Sequence, residues 1–170
     1  GIGTQHGGIL VDFNAVKGGI EIIPLDNDWQ KAAHVYSDEV LISHRTDAEK
    51  GTPKFERGKS LSDHQCEMIY ISGTAAIRGE ESIVTGDVLV QTEITLENIQ
   101  HLIGLEEGRE KLPEHSGKLE LLRVYLKHEE DAKIVKEDMD KLCPDVPIVY
   151  LYADVCREEL LVEIEGIAYL

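Results

Sequence analysis

Glu163 and Glu165 stand two residues apart near the end of the stretch 149–170, VYLYADVCREELLVEIEGIAYL, which also carries Tyr150, Cys156 and Arg157. Carboxyls, phenols, a thiol and a guanidinium in one segment are groups that move protons and hold anions. Two glutamates on one strand face lie ~7 Å apart, and each resists the other's ionisation. A glutamate that also loses hydration in a closed cleft has its pKa raised from ~4.3 toward the operating pH, where an acid catalyst works best. The plain alternative is a solvated strand face with both carboxylates idle. Arg123 sits mid-strand among apolar residues in LELLRVYLK. An arginine there either reaches solvent or holds a carboxylate.

The elements that must position these groups follow from periodicity. Val149–Val155 and Leu161–Leu170 are expected strands, rich in β-branched and aromatic residues, joined as a hairpin by the charged turn Arg157-Glu158-Glu159. Period two places Val162, Ile164, Ala168 and Leu170 on one side, and Glu163, Glu165 and Tyr169 on the other. In the first strand Tyr150, Tyr152, Asp154 and Cys156 share a face. Cys66–Ile77 reads as a strand running into the small residues Gly73, Ala75 and Ala76, which leave room for a backbone or a ligand. A short strand follows the turn at Gly79-Glu80. A helix then starts at Asp87 or Thr85 and stops at Gly104 and Gly108. Leu119–Lys127 is a central strand, and Glu129–Leu142 is a second amphipathic helix ended by Cys143-Pro144.

The resulting order predicts an α+β fold: a mixed β-sheet with two helices packed on one face. The other face must meet the N-terminal segment, another domain or another subunit. Residues 1–60 read as an N-terminal extension or connector and 61–170 as the domain proper. One or two strands are expected in 1–25, around Gly18-Gly19, and residues 26–65 are turn-rich. The absence of an initiator Met suggests an excised piece or a tag remnant.

Composition narrows the function. With 170 residues, 42% of them apolar and 29% charged, the chain has room for a real core. Its net charge of −16 argues against nucleic acid, whose phosphates need a basic stripe. A small anionic metabolite is not excluded, since screening within ~8 Å lets local arginines outweigh distant carboxylates. No apolar run is long enough for a membrane span, and no signal-peptide pattern is present, so the cytoplasm is expected. Three cysteines, none in a CxxC pair, read as free thiols; seven scattered histidines suggest no metal, and no cofactor is expected.

SGTAAI, GDVLVQTEITLENIQHLI and the closing VEIEGIA resemble signature segments of the YjgF (Rid) superfamily, in the right order over residues 60–170. The resemblance implies a chorismate-mutase-like α+β fold and, for plain Rid proteins, a homotrimer with ligand clefts between subunits. Those enzymes hydrolyse 2-imino acids and hold the substrate carboxylate with an arginine in a Pro-x-Arg context; here the position reads Pro147-Ile148-Val149. GTPKFERG, SGTAAI, the Arg123-Val124-Tyr125 strand and ADVCREELLVEIEG are closer to the chorismatases, a two-part branch of the superfamily. The PLDNDWQKAAHVY segment also resembles the connector that leads into their catalytic domain. A chorismatase-like protein with its upstream domain would be a monomer.

Chorismatases cleave the enol-pyruvyl ether of chorismate, giving pyruvate with a hydroxybenzoate or a dihydroxycyclohexadiene carboxylate. The resemblance puts the acid role on Glu163. Cys156 occupies a position that helps decide the product, cysteine being associated with 3-hydroxybenzoate. Arg57, Arg123 and Arg157 are candidate clamps for the two substrate carboxylates, since a guanidinium matches a carboxylate in a bidentate fork. Tyr125 and Tyr150 could donate hydroxyl hydrogen bonds, and Gly73 and Ala75 could line the substrate. Gln91 matches a recurrent family position. The competing readings are a Rid-type imine or enamine deaminase and a non-catalytic oligomer that binds small metabolites.

Overall fold

Apolar residues at alternate positions of three strands, Ile69 and Ile71, Leu122 to Leu126, and Val162 to Ala168, need one shared apolar face, and a sheet supplies it. In the computed structural model, which describes residues 13–41, 51–104 and 118–169, that sheet has six strands. They are β1 (Glu21–Leu25), β2 (Gly58–Ser62), β3 (Glu67–Thr74), β6 (Lys118–Leu126), β7 (Ile148–Tyr152) and β8 (Val162–Tyr169), in the spatial order β1-β2-β3-β8-β6-β7. Only β6 and β7 run parallel, so the sheet is mixed. A separate two-stranded ribbon, β4 (Ile77–Arg78) with β5 (Glu81–Ser82), turns at Gly79, whose φ of +60° suits a residue without a side chain.

Helices α1 (Val88–Leu102) and α2 (Ala132–Leu142) lie on one face. Asp87 caps α1 by accepting from the N–H groups of Leu89 and Val90, and Gly104, at φ +73°, follows its end. Gly108 lies outside the described residues. The core between helices and sheet gathers Ile69, Ile71, Ile99, Leu122, Val124, Leu126, Met139, Val162 and Ile164. Gly166 on β8 lets β6 approach closely: a Cβ there would lie 2.5 Å from the carbonyl oxygen of Leu121. The α+β architecture with two helices on one face is therefore the one the pattern implied.

The last two strands are not a hairpin. β6 separates them, β7 pairing parallel with one edge of β6 and β8 antiparallel with the other. The β6–α2–β7 crossover sets β7 beside β6, so the segment after Tyr152 must pass over the end of β6 to reach β8. β7 ends at Tyr152, and neither Asp154 nor Cys156 belongs to it. The start of the chain also differs from expectation. β1 and β2 join the main sheet, so the boundary drawn between residues 60 and 61 falls inside β2. Residues 13–20 form no strand, and residues 1–12 lie outside the described residues.

Residues 27–41 are held against α1 and the β4–β5 ribbon. Gln30 bridges to Gly79, Asn27 Nδ2 donates to the carbonyl of Asn98, and Gln30 Nε2 donates to that of Ile77. Glu80 accepts from the Ser37 N–H and from Lys31. Those two hydrogen bonds, the backbone one foremost, pull its carboxyl down to about 2. The polar stretch is a fixed wrap over one end of the sheet.

Candidate active site

β8 divides the chemistry from the core by alternation. Val162, Ile164, Gly166 and Ala168 face the helices, while Glu163 and Glu165 face the other way with Arg123 and Tyr125 of β6. Arg123 stands directly opposite Glu165, and Tyr125 directly opposite Glu163. The Arg123 Nε lies 2.7 Å from Glu165 Oε1, and the Tyr125 hydroxyl donates to the same oxygen. Burial, with the Glu165 hydrogen bond second, pushes the Tyr125 phenol up to about 12, so it stays protonated and can donate. Two donors converge on one oxygen of Glu165 and fix its carboxyl in place.

Glu163 is in the opposite situation. It is only 7% exposed, and among the described residues its carboxyl makes no hydrogen bond. Burial raises its pKa above the ordinary carboxylate range, and the charge of Glu165 adds in the same direction. Room for it comes from β3, which bulges between Ile71 and Thr74 where it pairs with β8. A Cβ on Gly73 would lie 2.0 Å from Glu163 Oε1, so the glycine makes the space in which the carboxyl sits. Gly73 thus acts on the site by admitting Glu163.

Arg57 and Arg157 form a second group beside the first. Arg57 is 3% and Arg157 8% exposed, yet neither is in an ion pair among the described residues. Both guanidinium carbons lie within 6 Å of the Tyr36 ring, at 5.7 and 5.6 Å from its centroid. Arg57 donates to the Lys31 carbonyl and to the Tyr36 hydroxyl, and its Nε–H has no partner among the described residues. Arg157 donates to the Glu80 carbonyl and the Ser82 hydroxyl, each at 2.9 Å. Two buried cations held by neutral acceptors leave positive charge for an anion to neutralise. Backbone neighbours join the groups: the Ser72 N–H, beside Gly73, donates to the Arg57 carbonyl, and Arg157 follows Cys156.

Cys156 lies exposed at this rim. Partial desolvation by the surrounding protein raises its thiol pKa, Glu163 adds to the rise, and Arg157 opposes it. The loop carrying Cys156 and Arg157 is pinned by Gln91 of α1. Its buried amide donates to the Glu159 carbonyl and accepts from the Leu161 N–H, at 2.9 and 2.8 Å. Val155 and Leu160 anchor the same loop among Ala75, Ala76 and Ile77.

Two expected site residues are placed elsewhere. Tyr150 is in register with Val124, whose side faces the helices, and its hydroxyl is buried there with no partner among the described residues. Burial first, then Asp140 and Cys143, pushes it up to about 12. Period two on β7 separates it from the Glu163 face, which β7 meets through Val149 and Leu151. Ala75 packs within the small cluster around Ile77 and Leu160. Arg123 lies on the correct face, but Glu165 occupies its Nε. Sequence reasoning missed Tyr36 as a partner of both arginines. Its only signal was the apolar spacing of Ala33, Tyr36 and Val40 within a polar stretch.

No family model matches the chain. A chorismatase of Streptomyces rapamycinicus is 33% identical over 175 residues, which cover 98% of this chain and 49% of that protein. Over nearly its whole length, this chain is similar to the chorismatases. A 3-hydroxybenzoate synthase of Streptomyces hygroscopicus is 32% identical over 98% of this chain and 49% of its own length. A crystal structure of a chorismatase superposes with a TM-score of 0.69 at 30% identity, covering 86% of this chain and 43% of that one. The YjgF gene product of E. coli shares the fold, with a TM-score of 0.51 at 20% identity over 68% of this chain and 87% of its own. The chain spans about half the length of the curated chorismatases it matches. Its fold is that of the YjgF proteins, as the motifs implied.

Proposed function

We propose that this chain supplies the catalytic half of a chorismatase-like enzyme, one that cleaves the enol-pyruvyl ether of chorismate to pyruvate and a hydroxybenzoate or dihydroxycyclohexadiene carboxylate. The observation that carries the reading is the pairing of a dry Glu163, its carboxyl pKa raised by burial, with two buried arginines that have no ion pair among the described residues. Glu163 gives its proton to the terminal methylene carbon of the enol ether, leaving an oxocarbenium on the ether carbon. Water adds to that carbon and the bond to the ring oxygen breaks, releasing pyruvate and the ring diol; loss of water from the ring gives the hydroxybenzoate instead. Arg57 and Arg157 hold the substrate carboxylates, and the positive charge stabilises the bound dianion.

Similarity to relatives named chorismatase and 3-hydroxybenzoate synthase supports this substrate class. Cys156 at the rim agrees with the hydroxybenzoate product. The imine deaminase reading gains nothing here, because Ile148 packs against the core under the helices and offers no carboxylate clamp. The sheet face opposite the helices exposes Ile22, Val149, Leu151 and Tyr169, a surface for a second domain or another subunit to cover. The test is pyruvate release from chorismate by the full-length gene product, with Glu163→Gln as control. Pyruvate from the parent and none from the variant supports the reading; no pyruvate from the folded full-length protein overturns it.

A further inference from the structure

Arg123 is the most conspicuous arginine in the sequence, and the structure gives it a use other than binding substrate. Its Nε reaches Glu165 at 2.7 Å across the β6–β8 ladder, and Tyr125 donates to the same oxygen from two residues along. Glu165 is therefore held at a fixed place by two donors. Glu163, two residues away on the same strand face, is buried with no hydrogen bond of its own among the described residues. One carboxyl is held by two donors and its neighbour is kept dry. We propose that Arg123 and Tyr125 fix the Glu165 carboxyl beside Glu163, so that Arg123 is a positioning residue acting through Glu165 and not a clamp on the substrate. The inference rests on the reading of Glu163 as the acid.

The groups that face Glu163 act in known directions. Glu165 on β8 favours its protonated form. Tyr125, opposite it on β6, is a neutral phenol, and Cys156 comes from the loop before β8. β3 contributes Gly73, which carries no charge. Arg123 restrains the negative charge of Glu165 without cancelling it. Burial first, with Glu165 acting in the same direction, raises the Glu163 carboxyl, so its proton leaves at higher pH than from an exposed glutamate.

The experiment is the pH profile of pyruvate release by the full-length protein, together with carbon-13 NMR titration of its glutamate carboxyls, the Glu163 signal being identified by its loss in Glu163→Gln. Glu165→Gln keeps the volume and the hydrogen bonds but removes the charge. It should move the alkaline limb, and the Glu163 titration, to lower pH by roughly one unit. Arg123→Met removes the opposing cation and should move both to higher pH, with KM changing less than twofold. Limbs and titrations that stay in place in both variants while KM rises tenfold or more would show Arg123 gripping substrate and overturn the inference. If Glu163→Gln still releases pyruvate, the acid assignment fails by itself, and the NMR titration alone decides whether Glu165 holds the proton on Glu163.

Discussion

The two faces of β8 are eight residues of one strand read in alternation, and they obey different rules. Toward the helices, Val162, Ile164 and Ala168 are fully buried among apolar neighbours, so every methyl group adds to stability and none has a task to perform. Away from the helices, Glu163 and Glu165 sit beside Arg123 and Tyr125, and one of the two carboxyls is buried with no hydrogen bond among the described residues. A carboxyl in that state costs stability when it ionises. The helix face sustains the strain that the other face keeps.

The sharpest test of that division is Glu163→Gln, which should lower pyruvate release by about 10²- to 10⁴-fold in steady-state assays while the protein stays folded. Because the folded-state pKa of Glu163 is raised, the native state favours its protonated form. The corresponding stability is intact below the unfolded value of ~4.3 and fades as pH rises through the folded value. Glu163→Gln should therefore match the parent in denaturant melts near pH 4 and exceed it at alkaline pH; the reverse order would mean that Glu163 is stabilised as an anion. Leu122→Ala, at a fully buried site on the helix face, should cost about 3 kcal/mol of unfolding free energy in urea titration. Gln91→Ala leaves two partly buried backbone groups of the 159–161 loop unpaired. It should cost about 2 kcal/mol and raise KM more than it lowers kcat, since that loop carries Arg157. The smallest effect belongs to Tyr150→Phe, which removes an unpartnered buried hydroxyl: stability within about 1 kcal/mol of the parent, and activity unchanged. A large loss of activity there would move Tyr150 back into the site.

Much of this was readable before any coordinates. The alternation of VEIEGIAY placed Glu163 and Glu165 together and away from the core, and the pair Asp87 or Thr85 marked the start of α1, where Asp87 is the cap. Both depend on near neighbours in the chain, whose geometry is set by strand and helix repeats. The hairpin expected at the end failed because a short link does not reveal which strand lies between. Tyr150 was grouped with the site for the same reason: a face can be computed within one strand, but which side of the sheet it meets depends on pairing with β6.

The sequence by itself therefore determined the element order and the two-helix sheet, which follow from local periodicity and residue type, and its motifs carried the likeness to chorismatases. Only the tertiary structure decided that Arg123 belongs to Glu165, that Arg57 and Arg157 meet over Tyr36, and that Gly73 opens the space Glu163 fills. Each of those contacts joins segments tens of residues apart. Their energies depend on distance and burial, which the order of residues along a chain does not contain.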